Sequence, residues 1–373
     1  MKDNGKEMDM KNYRILVINP GSTSTKLSMF ENDTCVFTED VFHDSSVLSR
    51  FPTINDQLEY RMEVVHKFIE DGNIDLHGID AIVGRGGGCY AVPGGIYQID
   101  DRLIADTRAA KGGLYHSSML GVQMADALHK KYGGIMIMMD PPIVDELCDL
   151  ARITGVDGVY RRAVSHALNL KATARRHAKT MGKRYEDCNF IVCHIDGGIS
   201  ITAHEKGRMI DGNDAGGGEG PFTPTRMGSM AVTDLIRSFW DKTPEEMKRL
   251  CSQEGGLSSY FGTSNSDTVH AMVEQGDEKA VRVWKAMIYQ VTKYIGSMAA
   301  VLRGKVDGIL LTGGLLRFPE VEATIKESCG WIAPVTSYPG EFEQEAMAAG
   351  ALRVLRGEEE AKIYPGKPVW EGF

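Results

Sequence analysis

Several short stretches of this sequence carry residues suited to holding phosphate or charge. The first, Asn19-Pro20-Gly21-Ser22-Thr23-Ser24-Thr25-Lys26, is made of small polar residues between two apolar, β-prone runs. Such a turn offers backbone N–H groups and hydroxyls with little bulk, as a phosphate-cradling hairpin requires. An ordinary hairpin with a polar tip is the competing reading, and the stretch alone leaves both open. It is not a Walker loop, because G-x-x-x-x-G-K-[ST] occurs nowhere in the chain. A second stretch, Ile135 to Met139 followed by Asp140-Pro141-Pro142, delivers a carboxylate to the carboxyl end of a buried strand, where α/β sites are built. Capping of a following helix is the plainer fate for Asp140. A third, Phe190 to Asp211, repeats the opening pattern around Asp196-Gly197-Gly198, and a fourth runs from a buried strand into Gly313-Gly314-Leu315. Paired glycines there suit close approach of a flat ligand.

The elements that must position these stretches are legible from periodicity. After the opening hairpin, 35–42 reads as a third strand. Leu58, Met62, Val65 and Ile69 fall at helical spacing, and Ala81–Val83 forms a short buried strand. The loop Gly84 to Gly95 contains Arg85 and a formal G-x-G-x-x-A match. Pro93 and further glycines follow it instead of a helix, so a dinucleotide reading fails. Helices are predicted over about 117–132 and 165–181, then to about Arg303, with a closing helix at 343–355. The glycine-rich stretch 214–220 reads as a mobile loop. The return of strand, turn, strand at Phe190 makes the chain an internal repeat, two copies of one βββ-plus-helices unit, expected to face each other across a cleft.

Composition narrows the class. A chain of 373 residues is long enough for two domains. Net charge is −9 with Lys and Arg scattered, which argues against a nucleic-acid face. No apolar run reaches membrane-spanning length, and the first dozen residues read as a frayed tail in which Met10 could be the natural start. Seven cysteines without a C-x-x-C pair suggest free thiols and a reducing cytoplasm.

Taken together, Asn19 to Lys26, His194-Ile-Asp-Gly-Gly-Ile-Ser200, Phe222-Thr-Pro-Thr-Arg226, Leu311-Thr-Gly-Gly-Leu315 and Tyr338-Pro-Gly-Glu341 with Glu345-Ala346 resemble the acetate and butyrate kinase family. The order and spacing match over about 13–356. Asp196-Gly197-Gly198, where acetate kinases have Gly-Asn-Gly, brings the chain nearer the butyrate branch. The resemblance implies an α/β, two-lobed fold of duplicated βββαβαβα units, shared with sugar kinases, Hsp70 and actin. It places the substrate-side lobe at 12–155 with 343–373 and the adenosine-binding lobe at 156–342, with hinges near 154–157 and before Glu343.

The implied reaction is ATP + carboxylate ⇌ ADP + acyl phosphate, with Mg²⁺ as cofactor and butyrate or a branched analogue as substrate. A carboxylate of pKa near ~4.3 is already ionised at neutral pH, so no general base is needed. The obstacle is the meeting of two anions, about 4 kcal/mol per charge pair at ~4 Å and an effective dielectric near ~20. Arginine and histidine should therefore dominate the site. Arg85 and Arg226 are the expected oxyanion binders, their donor forks matching carboxylate or phosphoryl oxygens. The resemblance places His116 beside the substrate and makes His166 a donor to the transition-state oxygens, although one histidine stands here where acetate kinases carry two. It assigns Asn19 and Ser22 to the nucleotide phosphates, Asp140 to an electrostatic role or a metal-bound water, and Glu345, or Glu343 in the alternative register, with Asn19, to the metal. Gly197, Gly198 and Ser200 would cradle phosphates, and Gly313, Gly314 and Leu315 would border the adenosine. His194 reads as a structural partner at the sheet end that could also face phosphate, Lys26 as an anchor of the hairpin, and Asp196 as a second metal-facing acid.

Candidates for the acyl pocket are Val92, Pro93, Met139, Pro141 and Pro142. Relatives suggest a homodimer or higher homo-oligomer through the second lobe, including the helix around 281–302. The alternatives are an acetate or propionate kinase, a sugar or polyol kinase using Asp140 or Asp196 as base, and a nucleotide-dependent binding protein of the Hsp70 and actin type.

Overall fold

The structure is a computed structural model that describes residues 11–373. The expected frayed tail and Met10 lie outside the described residues. The chain divides into two compact units, one comprising residues up to Ala91 with Gly95–Pro141 and Gln344–Phe373, the other Val92–Gly94 and Pro142–Glu343.

In the first unit, six strands, β1 (Arg14–Pro20), β2 (Ser24–Glu31), β3 (Thr34–Phe42), β4 (Ala81–Gly84), β5 (Ile96–Gln98) and β6 (Ile135–Met139), form a sheet ordered β3-β2-β1-β4-β6-β5. β1 is central because Ile15 to Ile18 are wholly buried on both of its faces. β3 alternates between exposed and half-buried residues, as an edge strand does. The helix Met119–Tyr132 packs on β4 and β1. It can approach because a Cβ at Gly84 would stand 2.3 Å from the carbonyl of Gly121.

In the second unit, β7 (Asn189–Ile195), β8 (Ile199–Glu205), β9 (Arg208–Gly212), β10 (Gly308–Gly313) and β11 (Val335–Pro339) are ordered β11-β10-β7-β8-β9. This repeats the order β6-β4-β1-β2-β3 of the first sheet. The senses also agree: each opening hairpin is antiparallel and the next two strands are added in parallel. The helix Glu278–Val301 covers the β8 side of the sheet, its Trp284, Met287, Val291 and Ile295 sharing a core with Ile199 and Ile201.

The last helix of each repeat packs away from its own strands. Ala167–Thr180, which follows β6 in sequence, packs on β7 and β10, while Glu343–Leu355, which follows β11, belongs to the first unit from Gln344 onward. There Gln344 Nε2 donates to Ser28 Oγ at 2.9 Å.

The division after β6 falls at Pro141/Pro142, earlier than residue 155. The chain beyond Asp140 is tied into the second unit, with Ser165 N donating to Pro142 O at 3.0 Å and Cys148 N to Ile210 O at 2.9 Å. The expected hinge at 154–157 therefore lies within the second unit.

Candidate active site

In the first unit, β1 and β2 meet at the turn Gly21–Thr23, with Asn19 opposite Lys26 and Gly21 N donating to Ser24 O at 2.8 Å. Beneath the turn lies Arg61, fully buried on the helix Leu58–Asp71. Its Nη1 donates to Ser24 O at 3.0 Å and Thr25 Oγ1 at 2.9 Å, and its Nε and Nη2 both reach Gln57 Oε1. The acceptors are neutral, so burial lowers this guanidinium to about 10 and it remains a cation at neutral pH. His43 lies 2.8 Å from Thr25 Oγ1, and burial together with the Arg61 charge pushes it down to about 4. Arg61 escaped the sequence reading because arginine on an amphipathic helix reads as a solvent-facing residue. The one signal was its place in the buried row Arg61, Val65, Phe68, at helical spacing.

His116 and Ser22 come together, Nε2 to Oγ at 3.1 Å. His116 Nδ1 accepts Ser118 N–H at 3.1 Å, so the neutral ring carries its proton on Nε2 and donates it to Ser22. Arg85 is buried at the end of β4, where its own N–H donates to Ile18 O at 2.9 Å. Asp140 is fully buried with φ of 37°, and its Oδ1 accepts Gly95 N–H at 2.7 Å. A non-glycine residue at that angle is held against its preference, a feature that concentrates at functional sites. The helix-cap reading fails, because the eight residues after Asp140 contain no helix.

Met139 packs beneath the closing helix, where a Cβ at Gly350 would lie 2.4 Å from its Sδ. Val92 is likewise buried, bridging to Val144. These two of the five candidates for the acyl pocket are thus buried. Glu343 is half-buried, and Glu345 is exposed on its helix, where its charge adds to burial in raising the thiol of Cys35.

In the second unit, the turn Asp196–Gly198 joins β7 to β8. Asp196 Oδ1 accepts Gly197 N–H and Oδ2 accepts Gly314 N–H, at 2.7 and 2.5 Å. The carboxylate therefore ties the turn after β7 to the turn after β10. Each glycine has a separate reason. Gly313 has φ of 108° and lies against the Ile195 backbone, and a Cβ on Gly314 would meet Asp196 Oδ2 at 2.6 Å. A Cβ on Gly198 would stand 2.5 Å from Arg226 Nη1. At Gly197 a Cβ would meet nothing within 4 Å among the described residues, and its φ is ordinary. The fold does not require that glycine, whereas close approach of a ligand would. Leu315 is buried, so any part it takes beside adenosine is through its backbone.

Arg226 lies over Gly198, donating from Nη1 to Ala215 O at 2.5 Å. Burial lowers its guanidinium and Asp214 partly offsets this. Thr223 and Thr225 both donate to Gly197 O, at 2.7 and 3.1 Å, which pins the Phe222–Arg226 segment to the turn. The stretch 214–220 is not the loose loop expected. Asp214 Oδ1 accepts N–H bonds from Gly216 and Gly217 at 2.9 and 2.8 Å, and Gly220 N donates to Ser229 Oγ.

His166 and His194 stack, ring centroids 3.9 Å apart and planes 18° apart. Ser200 Oγ accepts the backbone N–H of His166 at 3.3 Å and lies 2.8 Å from its ring Nδ1. Asn169 Nδ2 donates to His194 Nδ1 at 2.9 Å and to Thr312 Oγ1 at 3.2 Å. In the neutral ring of His194 the proton therefore sits on Nε2. Asn169 and Glu341 were missed in the sequence. Asn169 follows His166 by one helical turn, a spacing that could have suggested it, and Glu341 closes the Tyr338-Pro-Gly-Glu segment of the resemblance, where it was given no role. His194, Asp196 and Glu341 offer one ligand atom each within 4.8 Å of one another, a candidate cation group that does not include Glu345.

Residues 154–328 match the Acetokinase family. A probable butyrate kinase of Clostridium botulinum (strain Alaska E43 / Type E3) is 43% identical over 354 residues, 94% of this chain and 99% of that protein. Butyrate kinase 2 of Clostridium acetobutylicum is 42% identical over the same shares of the two chains. The crystal structure of Porphyromonas gingivalis acetate kinase superposes with a TM-score of 0.72 at 18% identity, over 92% of this chain and 100% of that one, a likeness of fold.

Proposed function

The chain belongs to the acetokinase family, and on that footing we propose that it transfers the γ-phosphoryl group of ATP to a short-chain carboxylate, butyrate or a branched analogue. The products are ADP and the acyl phosphate, and the reaction is reversible. The observation that carries this reading is the pairing of Arg226 with the turn below it: a guanidinium held by Ala215 O lies over Gly198, beside the half-buried Gly197, where a Cβ would meet nothing within 4 Å among the described residues.

The substrate needs no deprotonation. A carboxylate oxygen forms the new O–P bond as the bond from the γ-phosphorus to the β,γ-bridging oxygen breaks, and the leaving charge passes to ADP. Arg226 offsets the repulsion of the approaching anions, and Arg85 is the matching donor from the first unit. His166, held by Ser200, presents Nε2–H to the oxygens on which charge develops, and His116 with Ser22 positions the acid. Gly197, Gly198 and Ser200 receive the phosphates, as do Asn19 and Ser22, and Gly313, Gly314 and Leu315 border the adenosine. His194 and Asn169 support His166 from behind.

Mg²⁺ suits this chemistry, and the donors give a mixed fit. Asp196 and Glu341 supply the oxygens it prefers, but His194 presents Nε2–H rather than a lone pair, so the two carboxylates could hold the ion through its waters. From the first unit, Asn19 and Glu345 are the residues that the resemblance assigns to it. When bound, the ion would neutralise charge on the nucleotide phosphates.

Two further expectations belong to this proposal. Assembly into a homodimer through the second unit is supported by the helix Val232–Phe239, where Val232 and Ile236, with Trp240 just beyond, are 68, 61 and 80% exposed in one row. A cytoplasmic setting is supported by seven free thiols. Among the described residues no helix is long and apolar enough to cross a membrane.

The test is an ATP and Mg²⁺ assay in which hydroxylamine traps acyl phosphate as hydroxamate, run over acetate, propionate, butyrate, isobutyrate and isovalerate, with glycerol and glucose beside them. Hydroxamate peaking at four or five carbons is expected. ADP release without hydroxamate from any acid would overturn the reading.

A further inference from the structure

We propose that Arg161 is a positioning residue for Arg226, acting through the glycine-rich loop Asp214–Gly220; the proposal rests on the carboxylate-kinase reading above. That loop contains Gly216, Gly217, Gly218 and Gly220, so it has almost no side chains with which to fix its own shape. Its conformation must come from polar ties, and these converge on Arg161.

Arg161 Nη1 donates to Ala151 O at 2.7 Å and Asp211 Oδ1 at 2.9 Å. Its Nη2 donates to Gly212 O at 2.5 Å and Glu219 Oε2 at 3.1 Å. Both ends of the loop are therefore gripped by one planar group: Gly212 and Asp211 lie just before it and Glu219 lies near its close. Glu219 passes the restraint inward, its Oε2 accepting Asp214 N–H at 2.8 Å. Asp214 then orders the first two glycines through its Oδ1. The residue between Asp214 and Gly216, Ala215, donates its N–H to Val164 O at 3.0 Å and turns its carbonyl to Arg226 Nη1.

A guanidinium suits this task where an ammonium does not, because its fork reaches four acceptors in fixed directions. Asp211 and Glu219 more than offset the burial that would lower it, so it stays charged. The neighbouring Arg162 is exposed, so the two members of the basic pair are not equivalent. Without Arg161 the carbonyl of Ala215 loses its fixed position. Arg226 would then rest against Gly198 with one anchor fewer, and an error of about 1 Å in placing a reacting group can cost ~10²-fold.

The experiment is a double-mutant cycle on the full chain, with butyrate, ATP and Mg²⁺ and hydroxamate as readout. Arg161→Gln should lower kcat/KM for the acid by about 30-fold while KM for ATP changes by less than about twofold, and Arg161→Lys should recover part of the loss. In an Arg226→Ala background the same Arg161→Gln change should cost less than about twofold further, since its route of action is already gone. Equal losses in both backgrounds, or a parallel rise in KM for ATP, would show a general structural role and overturn the proposal. If Arg161→Gln does not fold, Glu219→Gln cuts the same tie while leaving the Asp211 pair and carries the cycle instead. A wild-type protein that makes no hydroxamate overturns the kinase reading and this proposal with it; additive losses overturn this proposal alone.

Discussion

The two copies of the strand-turn-strand motif share their topology and differ in how charge is placed around the turn. At Gly21–Thr23 the cation is beneath: Arg61 is buried under the hairpin, bound to Ser24 O and Thr25 Oγ1. At Asp196–Gly198 the support beneath is an anion, Asp196, which collects two glycine N–H groups, and the cation, Arg226, lies on top over Gly198. The first arrangement fixes a turn and leaves its surface to hydroxyls. The second places a half-buried guanidinium against the turn, held by the carbonyl of Ala215. The two repeats thus share a backbone topology and differ in the side chains that support their turns.

Breaking the second turn should have the largest effect. Arg226→Ala is expected to lower kcat by about 10²–10³, the range for removing one donor to developing negative charge. Gly198→Ala should approach that loss by displacing the guanidinium, whereas Gly197→Ala should leave the melting temperature nearly unchanged and weaken ATP binding. Steady-state kinetics with thermal melts separates the two glycines, and an active Gly198→Ala protein would disprove the packing of Arg226 on that residue.

Next in size is Asp196→Ala, which leaves the N–H groups of Gly197 and Gly314 without their acceptor, at about 1–3 kcal/mol each where they stay buried. Urea unfolding should show the loss together with a raised KM for ATP. A change in Mg²⁺ dependence alone, with stability intact, would instead favour direct metal contact. Arg61→Met should cost less, about 1–3 kcal/mol in total, because relief from burying a charge offsets part of the lost bonding. It should weaken nucleotide binding more than it lowers kcat, and the reverse pattern would place Arg61 in the chemical step.

The smallest effect is a pH dependence confined to the first turn. His43 takes up a proton near 6.5 when unfolded and only at about 4 when folded. Between those values the unfolded chain binds more protons, so stability falls as pH drops from about 6.5 to about 4. His43→Gln should flatten that part of the curve in chemical denaturation at fixed pH values. An unchanged slope would locate the acid sensitivity elsewhere.

Much of this fold could be read in the chain. The runs Ile15–Ile18 and Phe190–Ile195 declared buried strands, the glycine turns marked the hairpins, and the helix 343–355 was bounded by its small apolar residues. Asp140 at the end of its strand was also visible, but its rejection as a cap was not, because that depended on the chain after it leaving the sheet. The stretch 214–220, read as a mobile loop, is tied by Asp214, Glu219 and Arg161, whose meeting no local rule foretells. Met139 and Val92, read as candidates for the acyl pocket, are both buried.

What the sequence determined by itself was the repeated unit and the chemical character of the reaction. Periodicity and glycine placement encode strands and turns locally, and the resemblance of the motifs to the acetate and butyrate kinase family implied the anionic acceptor that the arginines and histidines suit. What only the tertiary structure decided was which polar groups meet. Asn169 setting the tautomer of His194, Arg61 under the first turn and Arg226 over Gly198 all join residues far apart in the chain. The reason is physical: burial strips these groups of water, and each must then find a hydrogen-bond partner wherever the fold brings one.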